Sequence, residues 1–206
     1  MPIYKNVTLF YENLVKQAET HLSQVCPVMA QLIDKHGPCT LAGREFSPFA
    51  TLATSIIGQQ LSMKAADTIE RRVLALVTGE FTAQAVAALA PEKLRAAGLS
   101  QAKVGYIQEL ASRASDGRLN LEALPEMDDE SVIATLVELP GIGRWTAEMF
   151  LIFGLARPDV LSPGDAGLQR AVRQLFGEDA TLQQIGTRWC PFCSVACWYL
   201  WRSLDG

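Results

Sequence analysis

Apolar side chains recur along this chain at spacings of three and four, the period of one helix face. Leu9, Leu14, Ala18 and Leu22 mark a first helix, which Pro27 follows. Pro48 sits near the start of the next, with Phe49, Leu52, Ala53, Ile56 and Ile57 on its apolar face. Ser62 begins another, with Ala65, Ala66, Ile69, Val73, Leu76 and Val77 on one side. Further helices are predicted over 83–89, 91–97, 102–115, 129–138, 144–155, 166–176, 181–187 and 192–204. No stretch sustains the period-two alternation of a strand, and the Gly and Pro breakers fall between helical runs. The expectation is an all-α protein. No solenoid repeat and no low-complexity linker divides the chain, so composition alone marks no domain boundary.

Composition narrows the class without naming it. With 49% apolar and 19% charged residues, the profile is that of an ordinary globular protein. The best apolar run, Met149 to Ala156, is far too short to cross a membrane. The opening Met1-Pro2-Ile3-Tyr4-Lys5-Asn6 meets Glu12 and Lys16 too early for a signal peptide, so a cytoplasmic protein with no membrane partner is expected. Five cysteines (Cys26, Cys39, Cys190, Cys193 and Cys197) read as reduced thiols in such a chain. Cys190-Pro191-Phe192-Cys193 followed by Cys197 invites a metal reading. No histidine is nearby, and a fourth ligand would come from as far as Cys39 or Cys26. Ordinary thiols without zinc or iron are therefore expected. The net charge of −4 argues against a nucleic-acid partner, because duplex binding draws on phosphate neutralisation. Local charge on one face, or amides at helix ends, can still serve that purpose.

One segment stands out: Leu139-Pro140-Gly141-Ile142-Gly143-Arg144-Trp145-Thr146-Ala147. A helix with Val132, Ile133, Leu136 and Val137 on one face runs into it, and a second opens with Thr146, Ala147, Phe150 and Leu151 inward. Two glycines around one aliphatic residue let the backbone reverse tightly while Ile142 pegs the turn to the core. The amides of the new helix then point outward, ready to hold a phosphate. A second feature follows as Leu161-Ser162-Pro163-Gly164-Asp165, leading into a helix with Leu168, Ala171, Val172, Leu175 and Phe176 on one side. Taken alone, Asp165 is a natural N-cap.

Together these segments resemble the helix-hairpin-helix DNA glycosylase superfamily, and within it the 3-methyladenine DNA glycosylase II (AlkA-type) branch. Ile56-Ile57-Gly58-Gln59-Gln60-Leu61-Ser62 resembles that family's strand-insertion loop, and Ser194 to Arg202 its closing helix. The resemblance spans roughly 40–204 and lacks the N-terminal β-rich domain of longer members. It implies a two-lobed fold with an interlobe cleft: a hairpin lobe over 40–157, and a second lobe from 1–39 and 158–206 that carries the catalytic carboxylate.

The resemblance also implies the chemistry. Asp165 becomes the carboxylate that stabilises positive charge on the sugar as an N-glycosidic bond breaks. Capping is compatible with this role, since a helix N-terminus stabilises negative charge. Trp145 stands where AlkA-type enzymes place a tryptophan against the flipped base, suited to cationic alkylpurines. Relatives that also cut the backbone carry a Schiff-base lysine at that position, so no lyase step is expected. Gly141 and Gly143 would hold a DNA phosphate, with Thr146 adding a hydroxyl. Gln59, Gln60 and Leu61 are candidates to fill the gap left by the extruded nucleotide, or else form a polar inter-helix loop. Arg170 and Arg173 touch phosphate or simply face water. No cofactor is required, although a sodium or potassium ion on the carbonyls near Leu139 and Ile142 is consistent with the family. The iron–sulfur loop of endonuclease III relatives has other spacings, and members often carry a basic residue where Cys193 stands. The implied partner is double-stranded DNA bearing damaged bases, bound by a monomer. The competing readings are a bifunctional glycosylase/lyase, disfavoured by Trp145, and a non-enzymatic phosphate clamp, which has no need of Asp165.

Overall fold

The computed structural model describes residues 3–41 and 47–205, with the side chains of 3–11 and of Met63 outside the description; the Leu9 position of the first helical pattern falls there. Every regular element among the described residues is helical, as the periodicity predicts. In chain order the helices are α1 (Ile3–Val25), α2 (Pro27–His36), α3 (Pro48–Gly58), α4 (Met63–Leu74), α5 (Ala83–Ala87) and α6 (Pro91–Ala96). There follow α7 (Gln101–Ser115), α8 (Asp129–Val137), α9 (Arg144–Phe153), α10 (Ala166–Phe176), α11 (Leu182–Gly186) and α12 (Cys193–Arg202). Short 3-10 turns cover Leu121–Glu126 and Thr187–Trp189.

Local chemistry sets most of the starts. Ser47, Ser62, Thr82, Ser100, Asp128, Asp165 and Thr181 each accept a hydrogen bond from the amide three residues on. Such caps contribute about 1 kcal/mol apiece. The sequence pattern does not anticipate α2. Pro27 opens that helix at its first turn, where a missing amide and a preset φ cost nothing, rather than merely closing α1. In the opposite direction, α4 stops at Leu74, before the predicted Leu76 and Val77. Their amides bond back only three residues, to the Val73 and Leu74 carbonyls, so both lie in a turn.

The chain forms two compact units, Phe46–Phe150 and Met1–Glu45 with Leu151–Gly206. Sequence reading places the divisions at residues 40 and 157 instead. The observed boundary between Phe150 and Leu151 falls inside α9, whose apolar run continues through it and hides the change of unit. In the first unit Leu52, Ile56, Ile57, Val86, Leu94, Ile107, Leu110, Val132, Leu136 and Phe150 are fully buried. In the second, Leu22, Met29, Leu168, Val172, Trp189, Tyr199 and Leu200 form the corresponding core. Each such aliphatic or aromatic side chain contributes ~1.5–3 kcal/mol through burial. Among the described residues no helix is long and apolar enough to cross a membrane.

Candidate functional site

The hairpin between α8 and α9 is anchored from below. Leu139 and Ile142 are 3% and 4% exposed, and the Ile142 amide donates to the Leu139 carbonyl at 3.1 Å. Ala147 donates to the Gly143 carbonyl at 3.0 Å and so starts α9. Gly141 has φ +85°, a left-handed conformation that glycine adopts readily. The Tyr106 ring packs directly against it, so that an added Cβ would lie 2.6 Å from Tyr106 Cγ. Gly143 by contrast faces open space. First-turn amides of a helix have no intrahelical acceptor, so the start of α9 offers donors where Gly143 and Arg144 are exposed.

A second layer of contacts holds the hairpin to the loop after α3. The Gln59 amide nitrogen donates to the Gly141 carbonyl at 2.8 Å and to Thr146 Oγ1 at 3.3 Å. The Lys103 ammonium closes the C-terminus of α3, donating to the carbonyls of Ile57 at 2.7 Å and Gln59 at 2.6 Å. Burial lowers the Lys103 pKa from its ordinary value. Gln60 then turns through φ +57°, leaving Gln60 and Leu61 exposed at the tip. Two of the sequence expectations change here. Thr146 is buried and its hydroxyl accepts from Gln59, so it supports the hairpin instead of facing a phosphate. Gln59 spends its side chain on the same support, which leaves Gln60 and Leu61 as the loop's outward residues. Neither Tyr106 nor Lys103 was legible as a partner, since both come from α7, remote in sequence from the turn they brace.

Asp165 lies in the other unit. The Pro163-Gly164 turn closes with an Asp165 amide to Ser162 carbonyl bond of 3.1 Å, and the Gln169 side chain donates to the Pro163 carbonyl at 2.6 Å. Asp165 caps α10, with Oδ1 accepting the Leu168 amide at 2.7 Å. The same oxygen accepts the Trp201 indole N–H at 3.1 Å. That indole is itself held by stacking on Phe153, with ring centroids 5.7 Å apart. Asp165 is 8% exposed, and its Oδ1 is held by a donor from its own helix and one from α12. Gly167 gives it room: a Cβ there would sit 3.0 Å from Oδ1. Trp201 belongs to the closing-helix pattern in the sequence, but nothing local assigns it to Asp165. Arg170 and Arg173 are exposed on α10. Trp145, 45% exposed, presents its indole near the start of α9. Cys193 and Cys197 are both buried on α12, while Cys190 is exposed.

A braced Gly-Ile-Gly hairpin between two helices, with a capped and tryptophan-bonded aspartate opening a later helix, defines a helix-hairpin-helix protein of base excision. The chain belongs to the HhH-GPD superfamily of base excision DNA repair proteins, whose family model matches residues 53–189. Among solved structures it is similar to a DNA-3-methyladenine glycosidase of Bacillus halodurans, 39% identical over 90% of this chain and 87% of that one, with a TM-score of 0.77. It is also similar to the 3-methyladenine DNA glycosylase Mag1 of Schizosaccharomyces pombe in complex with abasic DNA. That likeness is 29% identical, covers 92% and 97% of the two chains, and has a TM-score of 0.82. A curated relative, the putative DNA-3-methyladenine glycosylase YfjP of Bacillus subtilis, is 28% identical over 95% of this chain and 71% of its own length.

Proposed function

We propose that this protein is a monofunctional DNA glycosylase that flips alkylated purines such as 3-methyladenine out of duplex DNA and hydrolyses their N-glycosidic bonds. The observation that carries this reading is Asp165: a nearly buried carboxylate held by the Leu168 amide and the Trp201 indole, in a protein that also carries a phosphate-binding type of hairpin. A plain DNA clamp needs the hairpin but not a carboxylate fixed from two helices. As the purine departs, the sugar gains positive charge, and a preorganised carboxylate in a partly desolvated place stabilises it and orients the attacking water. The amides at Gly141 and Gly143 hold a DNA phosphate, and Gln60 and Leu61 enter the space left by the flipped nucleotide, offsetting part of an extrusion cost of a few kcal/mol. The protein acts as a monomer.

A sodium or potassium ion is compatible with the turn. The Leu139 carbonyl accepts the Ile142 amide and retains a second lone pair, and hard carbonyl oxygens suit such a cation. The Leu139 and Ile142 carbonyls would hold it, and its charge would brace the hairpin against a phosphate. Base release itself needs only a carboxylate, water and a positioned base.

The test is a release assay on alkylated duplex DNA, with each free base analysed and borohydride added to trap any imine. Because Trp145 stands where lyase members carry their lysine, the expected products are free N-alkylpurines and intact abasic sites, with no trapped adduct. Efficient trapping, or nicking without alkali that co-purifies with the protein, would overturn the monofunctional reading. Within the same assay, Trp145→Ala is expected to hurt cationic N-alkylpurines more than neutral hypoxanthine. Stacking and cation–π attraction at a desolvated site supply about 1–2 kcal/mol of that preference, or roughly five- to thirtyfold. Equal losses on both substrates would reduce Trp145 to a packing role.

A further inference from the structure

The three cysteines near the C-terminus looked, from sequence, one ligand short of a metal site. The structure sets a carboxylate beside Cys190 and Cys193, and Cys197 is not part of that group. Asp159, in the loop between α9 and α10, meets Cys190 and Cys193, and one oxygen or sulfur atom from each lies within 4.8 Å of the others. The Sγ atoms of Cys190 and Cys193 are 3.6 Å apart. Two thiolates bound to one tetrahedral zinc at about 2.3 Å each stand about 3.8 Å from one another, so this pair is already at chelating distance. The position of Asp159 is set by the backbone: its Oδ1 accepts the Cys193 amide at 3.1 Å.

We propose that Cys190, Cys193 and Asp159 form a zinc site with two thiolate ligands and one carboxylate, the remaining position being open to water. The C-x-x-C spacing is the common chelating unit of structural zinc sites, and a soft thiolate pair selects zinc over magnesium or calcium. Cys190 and Asp159 are exposed, which gives the ion a path in, whereas Cys193 is buried and gives the site a fixed inner ligand. Binding displaces the thiol protons to solvent. Burial pushes the Cys193 thiol up, and the neighbouring Asp159 adds to the shift. A divalent cation between these groups would reverse that penalty, since it favours the thiolate and balances the carboxylate.

The site would act as a clamp on the segment that leads to Asp165. The start of α12 already holds this segment through hydrogen bonds of Ser194. Its amide donates to the Pro158 carbonyl at 3.0 Å, its hydroxyl donates to the Arg157 carbonyl at 2.6 Å, and that hydroxyl accepts the Val160 amide at 3.0 Å. A metal on Cys190, Cys193 and Asp159 would tie the same two stretches of chain together just outside this cluster. Its role is thus to join these two stretches of chain, apart from the base-release chemistry.

The experiment loads the reduced protein with zinc alone, and separately with cobalt(II), and measures stoichiometry, affinity and thermal midpoint. About one ion per chain is expected, with thiolate-to-cobalt charge-transfer absorption and a thermal midpoint that falls when a chelator removes the ion. Cys190→Ser and Asp159→Asn change exposed residues, and the Asn carbonyl can still accept the Cys193 amide, so both variants should fold. Each should weaken binding at least about tenfold, while Cys26→Ala should leave it intact. No uptake by the reduced protein at micromolar metal would overturn the site. Unchanged affinity in Cys190→Ser would do so as well, and unchanged affinity in Asp159→Asn would exclude the carboxylate as a ligand.

Discussion

Asp165→Asn is expected to leave the protein folded and able to bind DNA while cutting single-turnover base release at least about a hundredfold. Asparagine is as good an N-cap as aspartate, and its carbonyl oxygen can accept both the Leu168 amide and the Trp201 indole that now bond to Oδ1. The substitution therefore removes the charge and can keep both of these hydrogen bonds. Preorganised electrostatic stabilisation of a developing charge is worth roughly 3–4 kcal/mol when a single group is removed, which sets the expected loss. The measurement pairs release from alkylated duplex with a thermal midpoint and a binding isotherm for the same preparation. A folded, DNA-binding Asn variant that releases bases at nearly the normal rate would remove Asp165 from the chemistry and leave it a cap.

Gly141→Ala should damage the hairpin itself. The residue sits at φ +85°, where a Cβ costs roughly 1–2 kcal/mol. The added methyl would also press into the Tyr106 ring, 2.6 Å from its Cγ, and overpacking of this kind typically costs about 1–3 kcal/mol. A loss near 3 kcal/mol in denaturant unfolding is expected, along with weaker DNA binding as the turn shifts. The double variant Gly141→Ala/Tyr106→Ala, compared with Tyr106→Ala alone, should recover the packing share and retain the backbone share. If Gly141→Ala unfolds at the wild-type denaturant midpoint, the turn is not held as tightly as the Tyr106 contact indicates.

What the sequence determined alone is local in origin. The three-and-four spacing of apolar residues makes every regular element among the described residues helical, and the Ser and Asp caps set the starts of α3, α4, α8 and α10 within a residue or so. The Leu-Pro-Gly-Ile-Gly turn and the cap at Asp165 are likewise written in runs of a few residues, because the steric freedom of glycine and the reach of a capping side chain operate over one helical turn. Tertiary structure decided whatever depends on which distant side chain arrives. It turned Gln59 and Thr146 inward against each other, although they are 87 positions apart, and brought Tyr106 onto Gly141. It paired Trp201 with Asp165 across 36 positions and set Asp159 beside two cysteines that looked short of a partner. Periodicity reports which face of a helix is buried but not what it is buried against. A polar residue at a half-buried position can therefore read as a ligand contact until the structure shows the groups that satisfy it.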